Sequence, residues 1–403
     1  MAKGIPPEMD GIEYLPEPTD PRILSAVDPS ITGWQDDFRA RVTGWEPLIP
    51  PTSAPPPRRS TRTIGVWVIV MFAIFMWMAY RTDAPFGKLT YNDSEWAWEY
   101  SQIRQLQQVG LNGTGVHICI VDTGFDASHP DLKHITPHFR DFLNGGTKPV
   151  DLGTDKHGTM MAGIIVADGH IRGSSPQIEL SVAAALGTSA EGENRGDSAI
   201  VADAIDWCWE EQNADIISLS LGGVQDGDDE AMNAVERALS QGVFVVAAAG
   251  NDGEDDDGLL SSPANVPLVI SVGAVDEKKT IWEGSSQGST FFNGNARGSP
   301  NEKPEIVAPG VSIISTGLDK SYYSSTGTSG STAFVSGSLA LILQAYPELM
   351  NSSDSSCIEL VKTSLMQSAE SVSEQIIPHD AHYGYGILNA YDWKVEVGQN
   401  LPC

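Results

Sequence analysis

Val116-His117-Ile118-Cys119-Ile120-Val121-Asp122-Thr123-Gly124 is the stretch that decides the fold. From Val116 to Val121 the residues are almost all apolar, without the polar alternation of a half-exposed strand. The run therefore reads as a strand buried on both faces and stopped by Asp-Thr-Gly. Working outward, Ile178 to Leu186, Ile216 to Leu221, Val243 to Ala249 and Leu268 to Val275 are runs of the same kind, bounded by Gly, Asn or Pro. Between them, Ser198 to Gln212 and Asp229 to Gln241 carry apolar residues at helical spacing, with Asp197 placed as an N-cap and Gly242 as a stop. Buried strands alternating with helices predict an α/β fold: a doubly wound, mostly parallel sheet flanked by helices. Its reactive groups should gather at the carboxyl ends of the strands.

Three short motifs fall at such boundaries. Asp122-Thr123-Gly124 ends the first strand. His157-Gly158-Thr159 opens the helical run Met160 to Ala167, which Gly169 stops. Gly327-Thr328-Ser329-Gly330 precedes a nearly all-apolar helical run ending at Pro347. Each sets a polar reactive side chain beside glycine at the end of a rigid element.

The order Asp, His, Ser resembles that of the subtilase (subtilisin-like serine protease, peptidase S8) family. Further matches follow in order: Gly113-Thr114-Gly115-Val116, Ser128-His129-Pro130-Asp131-Leu132, Ser218-Leu219-Ser220-Leu221-Gly222-Gly223 and Ala247-Ala248-Ala249-Gly250-Asn251. Val272-Gly273-Ala274-Val275, Ala308-Pro309-Gly310-Val311 and Gly384-Tyr385-Gly386-Ile387-Leu388-Asn389-Ala390 complete them, over about 290 of the 403 residues. The resemblance implies that Ser329 is the nucleophile, His157 its base and then acid, and Asp122 the carboxylate that orients the imidazole. A serine hydroxyl needs such a base because it is a poor nucleophile at neutral pH. Asn251 matches the side-chain oxyanion donor, and the N–H of Ser329 at a helix start supplies the second.

By the same resemblance a substrate lies as an extra strand against Ser220, Leu221 and Gly222, with Gly192 to Gly196 as the other wall. Ala247 to Gly250, and so Ala249 and Gly250, line the pocket before the scissile bond. Asp252 stands at its rim. The acidic run that follows, Glu254 to Asp257, reads either as a solvated loop or as a preference for basic substrate residues. Departures from the family pattern are Met160 for a second His, Gly330 for Met and Ala333 for Pro. None removes a proton-transfer or oxyanion group.

No cofactor is required by this chemistry, and no metal ligand is assigned. Pro130 and Pro137 prevent His129, His134 and His138 from sharing a helix face. Asp226 to Glu230 and Asp252 to Asp257 leave a structural calcium open, without EF-hand spacing. The net charge of −29 repels phosphate backbones, so nucleic acid is not an expected partner. Polypeptide is.

The first 63 residues are Pro-rich and without apolar periodicity, which predicts a disordered tail. Residues 64–80 carry no charge and lie between Arg58, Arg59, Arg62 and Arg81. At full helical rise they span about 25 Å, enough for a transmembrane signal anchor. The arginine bias predicts a single-pass membrane protein with a cytoplasmic N-terminus and an extracytoplasmic catalytic domain. Residues 81–97 then form a linker or short prosegment, and 98–397 the peptidase domain. Four cysteines are too few and scattered for a disulfide framework: Cys119 reads as a buried strand residue, and pairing of Cys357 with Cys403 depends on the compartment.

The expected function is that of a membrane-anchored serine endopeptidase working through an acyl-enzyme on Ser329. The alternative is a catalytically idle peptide-binding module of the same fold, supported only by the altered residues near Ser329. A nucleotide-binding domain is excluded because no G-x-G-x-x-G or P-loop follows a strand.

Overall fold

The computed structural model describes residues 23–25 and 94–403, apart from 190, 191, 224–228, 254–259, 289, 290, 293, 353 and 374. In chain order the elements begin with β1 (Ile23–Ser25), α1 (Glu95–Tyr100), α2 (Ile103–Gln108), β2 (His117–Asp122), β3 (His138–Asp141) and α3 (His157–Val166). There follow β4 (Glu179–Ala184), β5 (Gly187–Thr188), β6 (Asn194–Asp197), α4 (Ser198–Glu210), β7 (Ile216–Leu219), β8 (Gly222–Gly223), α5 (Glu230–Ser240), β9 (Phe244–Ala248) and β10 (Ile270–Val275). The rest are β11 (Phe291–Phe292), β12 (Asn295–Ala296), β13 (Ile306–Pro309), β14 (Ile313–Thr316), β15 (Tyr322–Ser325), α6 (Thr328–Ala345), α7 (Ser356–Ser368) and α8 (Ala390–Asn400).

Seven strands form one sheet in the order β13-β10-β9-β7-β2-β4-β3. Every neighbouring pair is parallel. All six residues of β2 are buried, which is why its sequence lacks alternation. The expected helix starts are present: the Asp197 carboxylate accepts the Ala199 N–H and Asp229 that of Ala231, each at 3.0 Å. Helices α3 and α6 pack on one another, as do α4 and α5.

Helix α6 is enclosed from Thr328 to Leu343. Its hydroxyls are bonded where they are buried: Ser331 Oγ donates to Ala308 O at 3.0 Å and Ser336 Oγ to Ser218 Oγ at 2.9 Å. Glu305, just before β13, is buried between two ammonium groups. Lys362 Nζ lies 2.6 Å and Lys303 Nζ 2.9 Å from its Oε1, and the Ser271 N–H reaches Oε2 at 2.8 Å.

The folded body includes α1, where Trp98 is fully buried and the Ser94 hydroxyl bridges Ser312 O and the Ile314 N–H. Of the residues expected to be a disordered tail, Ile23–Ser25 pair as a strand; the others lie outside the described residues, as does the expected anchor at 64–80. Among the described residues, no helix is long and apolar enough to cross a membrane.

One cysteine reading is corrected. Cys119 is buried in β2 as expected, yet it is bonded to Cys208 of α4, with Cα atoms 5.7 Å apart. Packing of α4 against β2 joins them across 89 residues, a separation that no local pattern reveals. Cys357 is bonded to Cys403.

Candidate active site

Strand β2 delivers Asp122 to its carboxyl end, where the carboxylate is fully buried and Oδ1 accepts the Thr123 N–H at 2.6 Å. His157 is the first residue of α3, entered through Lys156 at φ 57°. The two segments meet at Gly124 and Gly158. A Cβ on Gly158 would stand 2.3 Å from Gly124 O, so only glycine permits the approach. The His157 ring is thereby brought to Asp122, with Nδ1 2.8 Å from Oδ1.

Asp151 braces both segments from below. Its buried carboxylate accepts from Thr123 Oγ1 at 2.7 Å, Gly153 N at 3.0 Å, and Thr159 N and Oγ1 at 2.9 and 2.5 Å. Burial pushes the Asp151 pKa up, and these donors oppose it. For His157, burial pushes the pKa down. The charge and hydrogen bond of Asp122, with the charges of Asp155 and Asp151, outweigh this and hold it above the ordinary 6.5.

Ser329 is the second residue of α6, where backbone N–H groups have no partner one turn back. Its Oγ lies 3.3 Å from Ser220 O, and Ser220 Oγ donates to Ser329 O at 3.0 Å. Asn251 follows β9, and its Oδ1 accepts from Thr328 N at 3.0 Å and Thr328 Oγ1 at 2.9 Å. Both contacts fix the amide with Nδ2 as the remaining donor. His157, Asn251, Ser329, Gly330 and Met161 line one small recess. Gly330 leaves room there: a Cβ would meet only Ile164 Cδ1, at 3.7 Å.

Beside the recess, Ser220 and Leu221 are buried between β7 and β8, and Gly222 opens β8. Strands β8 and β6 lie either side of β1, in the order β5-β6-β1-β8. Ser25 stands opposite both Gly222 and Arg195, and Leu24 opposite Gly223 and Gly196, all antiparallel. The cleft between β6 and β8 thus has the width of one extended chain. Ala249 is buried after β9, Gly250 adopts φ 116°, and the backbone N–H of Asp252 donates to Ser286 Oγ at 3.1 Å. Asp252 itself is exposed.

His129, His134 and His138 turn to separate partners, Ser321 O, Pro176 O and Glu179. Among the described residues, no three His, Cys, Asp or Glu converge as metal ligands. Residues 226–228 and 254–257 of the acidic segments lie outside the described residues. Sequence reasoning missed Asp151, Asp155 and Asn194; the only local signal is two aspartates within six residues of His157.

Residues 113–386 match the family model described as the Subtilase family. The chain belongs to the subtilase family. It is 34% identical over 289 residues to subtilisin DY of Bacillus licheniformis, across 71% of this chain and 93% of that protein. It is 38% identical over 247 residues to the major intracellular serine protease of Bacillus subtilis, across 59% and 71%. With serine protease AprX of Bacillus subtilis the identity is 35% over 288 residues, 63% of each chain. This subtilase is a subtilisin-like serine endopeptidase, a hydrolase whose substrates are polypeptides.

Proposed function

We propose that this subtilase is a membrane-anchored endopeptidase that cleaves peptide bonds through an acyl-enzyme on Ser329, with its catalytic domain outside the membrane. The observation that carries the mechanism is the 2.8 Å contact of His157 Nδ1 with Asp122 at the recess that Ser329 also lines. With its Nδ1–H held by Asp122, His157 presents an unprotonated Nε2. That nitrogen takes the Ser329 hydroxyl proton as Oγ attacks the substrate carbonyl carbon. The developing oxyanion accepts from Asn251 Nδ2 and the Ser329 N–H. On collapse the C–N bond breaks, and the imidazolium returns its proton to the leaving amine. Water, deprotonated in turn by His157, then releases the acyl group.

The substrate runs between β6 and Ser220-Leu221-Gly222 as a strand, with Ala249, Gly250 and Asp252 around the residue before the scissile bond. Support comes from the way β1 already pairs with both edges. Support for the anchor is the uncharged run 64–80 and its flanking arginines. The test of the mechanism is labelling of the detergent-solubilised protein with a fluorophosphonate. Labelling is expected in the wild type and absent from Ser329→Ala and His157→Ala. An unlabelled, folded wild type with β1 removed would indicate the idle binding module instead. The anchor is tested by alkaline extraction of membranes: the protein should remain in the pellet, and Δ64–80 should leave it.

A further inference from the structure

Hairpin β5–β6, one wall of the cleft, is fastened to the loop that carries His157. Thr154 donates its N–H to Thr188 Oγ1 of β5 at 2.8 Å. Asn194, which opens β6, gives its Nδ2 to both oxygens of Asp155 at 2.9 and 3.0 Å. Asp155 Oδ1 also accepts the backbone N–H of His157 at 3.2 Å. Both side chains are buried, so the contact is shielded from solvent.

We propose that Asp155 and Asn194 are positioning residues for peptide hydrolysis: their contact locks the β6 wall to the His157 loop, and Asp155 supports the charge His157 gains. Asn194 at the start of β6 holds Asp155, and Asp155 sets the start of α3. The wall along which a substrate strand lies is thereby fastened to the base without either residue touching the reacting atoms. Asp155 exchanges no proton in this role; the proton moves only between Ser329 Oγ and His157. The charged groups facing His157 are Asp122 from β2 and Asp155 and Asp151 from its own loop. Lys156 Nζ is turned to Asp151 O at 2.7 Å, and α6 brings no charged residue. Removing the Asp155 charge therefore acts on the imidazolium directly.

The proposal rests on the assignment of Asp122, His157 and Ser329, and the experiment separates the two. Rates on a chromogenic peptide are measured against pH for wild type, Asp155→Asn and Asn194→Ala, with fluorophosphonate labelling and melting temperature taken in parallel. Asp155→Asn is expected to move the acid limb of kcat/KM down by about half a pH unit. It should also lower plateau kcat about tenfold. Asn194→Ala should raise KM several-fold and leave the acid limb in place, because the Asp155 charge remains. Asn194→Asp, which sets a second carboxylate against Asp155, should move the limb up. Labelled, folded Asp155→Asn and Asn194→Asp proteins whose acid limbs superimpose on wild type would overturn the proposal and leave the triad intact. Absence of labelling both from folded wild type and from the chain shortened by residues 1–30 would overturn the triad assignment itself.

Discussion

His157 Nδ1 stands 2.8 Å from Oδ1 and 2.9 Å from Oδ2 of Asp122, so one ring N–H is shared between both oxygens of a carboxylate buried from water. This contact fixes the tautomer and favours the imidazolium. Burial opposes it but does not prevail, and the His157 pKa is raised. The proposed mechanism needs the neutral ring, so kcat/KM should fall with decreasing pH through a limb centred above 6.5. For stability the sign is opposite: the gain from this raised pKa is complete below the ordinary value and lost as pH rises through the folded one. An acid limb below 6.5 in initial-rate profiles would contradict the reading.

Asn251 contributes a donor that its acceptor side leaves available. Asn251→Ala should lower kcat about 10²- to 10³-fold, the loss known for the equivalent donor in subtilisin, with KM changed far less. Thr328 also loses its Oδ1 partner, so a melting curve should accompany the kinetics. A loss in KM alone would mean that Asn251 holds the ground state only.

The Lys303, Glu305 and Lys362 cluster places two ammonium groups on one buried carboxylate. Glu305→Gln leaves both uncompensated and should destabilise the protein by about 3–5 kcal/mol in urea unfolding. Burial pushes the pKa of Lys303 well down, against the pull of Glu305. Lys303→Met should therefore be neutral or stabilising, since Lys362 alone neutralises Glu305. Equal destabilisation by both variants would show that the cluster acts as one inseparable network.

Gly330 sits in the first turn of an enclosed helix, where a Cβ would make an ordinary van der Waals contact of 3.7 Å with Ile164 Cδ1. Gly330→Ala should raise stability by about 0.5–1 kcal/mol through reduced backbone freedom in the unfolded chain, with fluorophosphonate labelling retained. A destabilised variant would mean that Ile164 cannot share the space.

The central strands were legible because burial on both faces writes itself as unbroken apolar runs, as in Val116 to Val121. Asp122, His157, Ser329 and Asn251 stand out through the motifs around them; His157, Ser329 and Asn251 line one recess, and Asp122 is buried behind His157. β3 was not, because His138–Asp141 is a four-residue edge with alternating exposure, too short to stand out. The Asn194–Asp155 contact spans 39 residues and follows from how a hairpin folds back on a loop, which no local pattern encodes. The same holds for Cys119 and Cys208.

Strand β1 lies between β6 and β8, the cleft proposed above for the substrate strand. A bilayer crossed by residues 64–80 would hold residues 23–25 on the side away from the catalytic domain, so pairing and spanning exclude each other in one molecule. In detergent no such barrier exists. Deletion of residues 1–30 should then raise kcat/KM on a peptide substrate several-fold by emptying the cleft. Identical kinetics of the full and shortened chains would mean that β1 does not compete.

The Cys119–Cys208 bond closes a loop of chain that holds Asp122 and His157 and leaves Ser329 outside. Within that loop the segment 144–148 is exposed, the kind of site at which one protease molecule nicks another. Because the bond encloses the segment, such a cut severs the backbone without releasing a fragment. The nicked enzyme stays one covalent body and can keep Asp122, His157 and Ser329 together. Self-digestion in a concentrated population would show as new bands only after reduction, while the intact mass on a non-reducing gel would conceal the damage.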